Sequence, residues 1–254
     1  RQTNDDRKCG GDVDQGNARY GIVGGECLTV LDNVFVPWDR VFMCGEAQFS
    51  GLLVERFACY HRANYGGCKS GVSDVVIGAA ALMADYSGYG KAGHIKEKLN
   101  EMIHKEETLY ACSLACSCEG KCTPSGAYFV DPLLANVGKH NVTQLIYEID
   151  RLAQDIGGGI IATMPSESDL KSPEVGHYVE KYLHGVEGVS TENRMRVARL
   201  IENMTGGTAL VESMHGAGSP QAQKVMYSKL SSLENKKQFA ARIAGVENDK
   251  TEER

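Results

Sequence analysis

From about Glu46 to the end of the chain, apolar residues recur at helical spacing in long runs, and that pattern leaves few folds open. The spacing predicts helices at about 46–65, 68–89, 94–119, 131–157, 191–214 and 219–244. Glycine clusters punctuate them at Gly66-Gly67, Gly88-Tyr89-Gly90, Gly157-Gly158-Gly159 and Gly216-Ala217-Gly218. Ser219-Pro220 reads as a helix start, because a side-chain cap precedes proline at the first helical position. Helices of about twenty residues joined by short turns favour an up-and-down bundle. Ahead of them, Cys27-Leu28-Thr29-Val30-Leu31 and Val34-Phe35-Val36-Pro37 are β-branched and aromatic runs, which predict two short strands or one bent strand closed by Pro37. The expected class is mainly α: a helical bundle domain over 46–254, preceded over 1–45 by the last strands of a β domain.

Charge narrows the partners. With 27 Lys and Arg against 33 Asp and Glu the net charge is −6, which argues against a broad surface for nucleic acid or acidic lipid. Apolar residues at 42% and charged residues at 24% match an ordinary globular protein and exclude disorder or collagen-like structure. No stretch approaches the roughly 18 uninterrupted apolar residues of a spanning helix, and residues 1–20 are polar, without the apolar segment of a signal peptide. A cytoplasmic location is expected. The chain does not begin with Met, which raises the expectation of a longer polypeptide. Nine cysteines without a secretory segment read as buried thiols or metal ligands rather than a disulfide framework.

The stretch richest in chemistry is 55–69. His61, Tyr65 and Cys68 stand at i, i+4 and i+7, so an unbroken helix projects all three from one face, with Lys69 beside them. An imidazole, a phenol, a thiol and an ammonium would share that face. The rise from 61 to 68 is about 10.5 Å, too long for easy ligation of a single ion. A polynuclear cluster, or a helix broken at Gly66-Gly67, could close the gap; each glycine costs a helix interior about 1 kcal/mol relative to Ala. The plain alternative is a hydrogen-bonded core histidine and a small buried thiol.

Several longer stretches carry a resemblance: 31–37 (Leu-Asp-Asn-Val-Phe-Val-Pro), 54–57 (Val-Glu-Arg-Phe), 65–69 (Tyr-Gly-Gly-Cys-Lys), 74–82 and 212–223 (Glu-Ser-Met-His-Gly-Ala-Gly-Ser-Pro-Gln-Ala-Gln). Through them the chain resembles, nearly end to end, the C-terminal half of the dehydratase branch of the 4-hydroxyphenylacetate 3-hydroxylase family, which has an acyl-CoA-dehydrogenase-like fold. The strand-end pattern at 33–37 is shared widely among such folds, whereas His61 and Cys68 with Tyr65 and Lys69 belong to the dehydratase branch.

The resemblance implies an enzyme that dehydrates 4-hydroxybutyryl-CoA to crotonyl-CoA and isomerises vinylacetyl-CoA, using FAD and a 4Fe-4S cluster held by three cysteines and one histidine. It makes His61 and Cys68 the cluster ligands on this chain and places two further cysteine ligands outside it. His61 is also the implied base, loosened from iron during turnover. Tyr65 and Lys69 are implied to orient substrate and pass protons, and Glu26 and Glu212 to be active-site glutamates, with Glu202 the competitor for the second. It further implies an acyl-CoA substrate, a homotetramer, and an N-terminal half or complementing subunit that completes the site.

The Gly-rich turn of Gly216, Ala217, Gly218 and Ser219 before a helix N-terminus could receive flavin or coenzyme A phosphates, or be only a tight interhelical turn. Cys112, Cys116, Cys118 and Cys122 read as structural thiols, and the sequons at Asn141 and Asn203 as accidental. Two readings compete with the dehydratase: an FAD-dependent aromatic monooxygenase of the wider family, and a non-catalytic helical assembly subunit or fragment.

Overall fold

A computed structural model describes residues 11–14 and 28–246, apart from the side chains of Thr208 and Ala209. Three long helices dominate it: α1 (Ser50–Tyr86), α2 (Gly93–Cys118) and α3 (Pro132–Gly157). They pack on one another pairwise, and α7 (Thr191–Thr205) lies against both α1 and α3. Short helices α4 (Ile160–Thr163), α5 (Glu167–Leu170) and α6 (Gly176–Leu183) link α3 to α7. After α7 come α8 (Thr208–His215), α9 (Pro220–Leu230) and α10 (Leu233–Ala244). The fold is mainly α, as expected. Its core forms where Val76, Ala80 and Met83 of α1 meet Met102 of α2, Ile149 and Ala153 of α3 and Met195 and Ile201 of α7.

The helix ends follow from local chemistry. Asp131 Oδ1 accepts from the Leu134 amide at 2.7 Å with Pro132 at the first helical position, which fixes the start of α3. Gly158, at φ 71°, lets the chain turn out of the same helix. Ser219 Oγ caps α9 through the Ala222 amide at 3.3 Å, as Ser219-Pro220 predicts.

Four expectations are corrected. The helices expected at 46–65 and 68–89 are one, α1, of 37 residues and about 55 Å. It runs straight through Gly66-Gly67 because Gly66 is where α2 crosses: a Cβ there would stand 1.8 Å from Ser113 Oγ. The glycine cost is offset by the burial that close approach allows. The helix expected over 191–214 is divided into α7 and α8 at Gly206-Gly207. The helix expected over 219–244 is divided at Ser231-Ser232, where Ser232 Oγ takes the Asn235 amide at 3.2 Å and caps a new helix.

The fourth correction concerns the expected strands, of which residues 28–37 are described. They form none. Among the described residues the strands are β1 (Lys121–Cys122) and β2 (Tyr128–Phe129), paired antiparallel in the hairpin between α2 and α3. β-branched residues favour strands only where a neighbour pairs the backbone and covers one face. Here the side chains stand in the open, Leu28 at 92% exposure and Phe42 at 96%. The apolar run continues onto α1 through Leu52, Leu53 and Phe57. α1, extended back to Ala47, has the length and apolar composition of a membrane span, yet its buried side chains face α2, α3 and α7.

Candidate functional site

α1 delivers the predicted face intact. His61, Tyr65, Cys68 and Lys69 line one pocket of about 190 Å³ together with Asn64, and α8 closes it with Glu212. His61 is half-buried, its ring 5.3 Å from that of Tyr65 and 5.4 Å from that of Phe57. Cys68 is exposed at the rim. Lys69, only 1% exposed, reaches across to α8 and donates to Glu212 Oε1 at 2.6 Å. Glu202 lies on α7 and pairs with Arg199 at 2.5 Å, so the carboxylate in the pocket is that of Glu212. Glu26 falls outside the described residues.

The turn after α8 is held from beneath. A Cβ on Gly216 would stand 1.6 Å from Tyr65 Oη, so the phenol rests directly on the backbone at that position. Ala217 and Gly218 follow with φ of 59° and 99°. The Arg62 guanidinium donates to the Ala217 carbonyl at 2.9 Å and to Asn136 Oδ1 at 2.7 Å, and Gln223 Nε2 donates to the Gly218 carbonyl at 2.9 Å. Close approach to Tyr65 and Arg62 thus accounts for the glycines at 216 and 218. The Ser219 hydroxyl caps α9. On its other side the turn opens on a groove of about 710 Å³ between α1 and α9, lined by Val54, Ala58, Arg62, Ser219, Val225 and Met226 among others.

Gly216→Ala should therefore destabilise the protein by about 1–3 kcal/mol, the usual cost of forcing a side chain off a packed position. Gly71→Ala, in α1 with nothing within 4 Å of the new methyl, should stabilise it by about 0.5–1 kcal/mol. Thermal unfolding of the two variants against the parent checks both signs.

Two buried charges belong to this neighbourhood and are not evident from the motif. Lys139 of α3 donates to the Ser213 carbonyl at 2.6 Å, and its ammonium stands 4.6 Å from the centre of the Tyr65 ring. Burial, with Lys69 and Arg62 nearby, pushes its pKa down to about 8 against a pull upward from Glu212. Asp150, also on α3, is 2% exposed, and its Oδ1 is buried without a hydrogen-bond partner. Burial pushes its carboxyl up to about 7, and Lys69 pulls the other way. A signal for Lys139 exists in the sequence: Ala135, Val142, Ile146, Ile149 and Ala153 form the buried stripe of α3, and Lys139 occupies a place in it.

Among the described residues the other cysteines do not assemble a centre. Cys59 and Cys116 are packed together against Ala135, and burial raises both thiols, Cys116 to about 11. Cys112 Sγ accepts from Asn141 Nδ2 at 3.3 Å. Cys118 and Cys122 are exposed. Among the described residues no three His, Cys, Asp or Glu side chains come together as a metal site.

Comparison with known proteins follows the same lines. Residues 50–245 match the family model for the C-terminal part of 4-hydroxyphenylacetate 3-hydroxylase. The chain is 53% identical to a 4-hydroxybutyryl-CoA dehydratase/vinylacetyl-CoA-Δ-isomerase of Clostridium aminobutyricum, over 97% of this chain and 53% of that protein. It is 29% identical to the oxygenase component of 4-hydroxyphenylacetate 3-monooxygenase from Thermus thermophilus, over 86% of this chain and 46% of that one. An oxygen-tolerant archaeal 4-hydroxybutyryl-CoA dehydratase from N. maritimus superposes with a TM-score of 0.92 at 52% identity, over 100% of this chain and 51% of that one. The oxygenase component of a 4-hydroxyphenylacetate 3-monooxygenase, solved with FAD, shares the fold at a TM-score of 0.79 and 23% identity, over 92% of this chain and 50% of that one. The chain spans about half the length of the curated relatives it matches.

Proposed function

The chain belongs to the 4-hydroxyphenylacetate 3-hydroxylase family, and on that premise we propose that it is the C-terminal portion of an FAD- and 4Fe-4S-dependent dehydratase that converts 4-hydroxybutyryl-CoA to crotonyl-CoA and isomerises vinylacetyl-CoA. The observation that carries this reading is the single α1 face of His61, Tyr65, Cys68 and Lys69, closed by Glu212 at 2.6 Å from Lys69. Similarity supports it too, at 53% to a dehydratase against 29% to a monooxygenase.

The donor set fits an iron-sulfur cluster in part. A thiol at the rim and a half-buried imidazole on the same helix face are suitable soft and borderline donors, and we assign the two further cysteine ligands to the part of the enzyme outside this chain. The 710 Å³ groove beside Arg62 is of a size that takes a flavin ring system, and we assign the Gly216–Ser219 turn, whose Ser219 lines it, to contact with the flavin or coenzyme A. When bound, the flavin supplies one-electron chemistry for the unactivated β hydrogen, and iron supplies Lewis acidity toward the departing oxygen.

The chain's own side chains do the remaining work. The α proton of an acyl-CoA is weakly acidic, so its removal needs a base within hydrogen-bond reach. We assign that base to an imidazole nitrogen of His61, which faces the pocket. Lys69 fixes the Glu212 carboxylate by a charge-assisted hydrogen bond. Tyr65, seated on Gly216, and Glu212 then hold the substrate hydroxyl and pass the proton on, with Glu26 as a further carboxylate at the site.

We further propose a cytoplasmic homotetramer, a domain boundary near 45/46, and a covering partner for the apolar run from Leu28 to Phe57, supplied by the N-terminal half of the enzyme or a complementing subunit. The full-length protein, purified without oxygen, should be brown, absorb broadly at about 400 nm and release acid-labile sulfide. It should form crotonyl-CoA from 4-hydroxybutyryl-CoA, and His61→Ala should lower that turnover by about 10²–10⁴-fold. A plain yellow flavoprotein that hydroxylates a phenol would establish the monooxygenase reading instead.

A further inference from the structure

The buried stripe of α3 has a lysine where packing favours an apolar side chain. Lys139 is 0% exposed and lies among Ala135, Val142 and Ile146. Among the described residues no carboxylate stands within ion-pair distance of it. An ammonium in such a place costs free energy that a methionine of similar length would not. Its one strong hydrogen bond explains what it gains. The Ser213 carbonyl, 2.6 Å from Nζ, is among the last four of α8, where carbonyls turn outward from the helix end. A cation there also meets the negative end of the helix dipole.

The position of that bond links it to the site. Ser213 follows Glu212, and the next turn holds Gly216, whose amide donates to the Glu212 carbonyl at 2.7 Å and whose Cα carries the Tyr65 phenol. From the other side the same ammonium lies 4.6 Å from the Tyr65 ring centre, within cation–π range. One buried charge therefore touches both the helix that carries Glu212 and the phenol that faces it. Lys69 and Arg62 repel this charge and Glu212 attracts it.

We propose that Lys139 is a positioning residue: its ammonium clamps the last turn of α8 against Tyr65 and so sets the spacing between Glu212 and the reactive face of α1. The proposal rests on the assignment of that face as the reaction site. Lys139→Met and Lys139→Gln in the full-length holoenzyme test it. Lys139→Met should keep the flavin and cluster spectra and a KM for 4-hydroxybutyryl-CoA within about twofold, while kcat falls about 10- to 100-fold, the range one charged hydrogen bond commands. Lys139→Gln, which keeps a donor, should recover part of the loss. Amide hydrogen exchange over 212–218 should quicken about tenfold or more in Lys139→Met, with the α1–α2 core unchanged.

Unchanged exchange over 212–218 would overturn the clamp, and so would faster exchange with undiminished kcat. If the parent enzyme forms no crotonyl-CoA, the dehydratase reading fails, while the exchange comparison still decides whether Lys139 holds α8. Should Lys139→Met not fold, Lys139→Gln decides by the same two measurements.

Discussion

Replacing Lys69 by methionine in the full-length protein is expected to lower the proposed dehydratase turnover by about 10²–10⁴-fold, the range over which positioned acid–base groups act. The ammonium is almost wholly enclosed, and its 2.6 Å contact with Glu212 is the link between α1 and α8 inside the pocket. Methionine fills the same space and removes the charge. The Glu212 side chain, 29% exposed, can then turn toward solvent, so the loss should appear in kcat more than in unfolding. Glu212→Gln should cost a similar factor. The double variant should be little worse than either single one, because groups that act as a unit lose their function together. Steady-state kinetics of the three variants at one pH measure the coupling, and simple additivity of the two losses would show that the pair does not act together.

Much of the architecture is legible in the sequence where local chemistry is unambiguous. The expected 94–119 and 131–157 correspond to α2 and α3 within a residue, and for α3 Asp131-Pro132 and Gly157-Gly158 mark the ends by mechanisms that act locally. Gly66-Gly67 misleads for a tertiary reason: what the pair costs the helix is small beside the α1–α2 contact that Gly66 permits at Ser113. Apolar spacing persists across Gly206-Gly207 and Ser231-Ser232, so periodicity alone hides both breaks. Residues 28–37 have strand composition but no strand in the described chain, because pairing is not a local property.

The candidate site divides in the same way. His61, Tyr65, Cys68 and Lys69 are legible together because helical spacing alone places them on one face. The approach of Glu212 from α8 is a long-range fact, 143 positions from Lys69, that spacing cannot supply. Lys139 is legible as a polar residue inside the apolar stripe of α3, whereas Asp150 looks in sequence like the polar side of an amphipathic helix. Only the packing of α3 between α1, α2 and α7 buries Asp150.

Asp150 leads to the second large effect. Its carboxyl is pushed up to about 7 by burial, against about 3.9 in an unfolded chain. Between those values the folded protein holds a proton that the unfolded chain has released, so stability falls as pH rises through that window. Each unit of difference is worth about 1.36 kcal/mol, and a gap of about three units sets an upper bound near 4 kcal/mol. Asp150→Asn keeps the shape, removes the titration and offers an amide to the enclosed space where Oδ1 has no partner. The variant should be more stable than the parent by about 2–4 kcal/mol above pH 7, and the advantage should shrink toward zero near pH 4. Lys69 opposes part of this gain, because it loses a nearby carboxylate. Unfolding followed from about pH 4 to 8 on both proteins gives the difference directly. A pH-independent difference, or a parent that is the more stable at the alkaline end, would show that the carboxyl is ionised and satisfied in the folded protein.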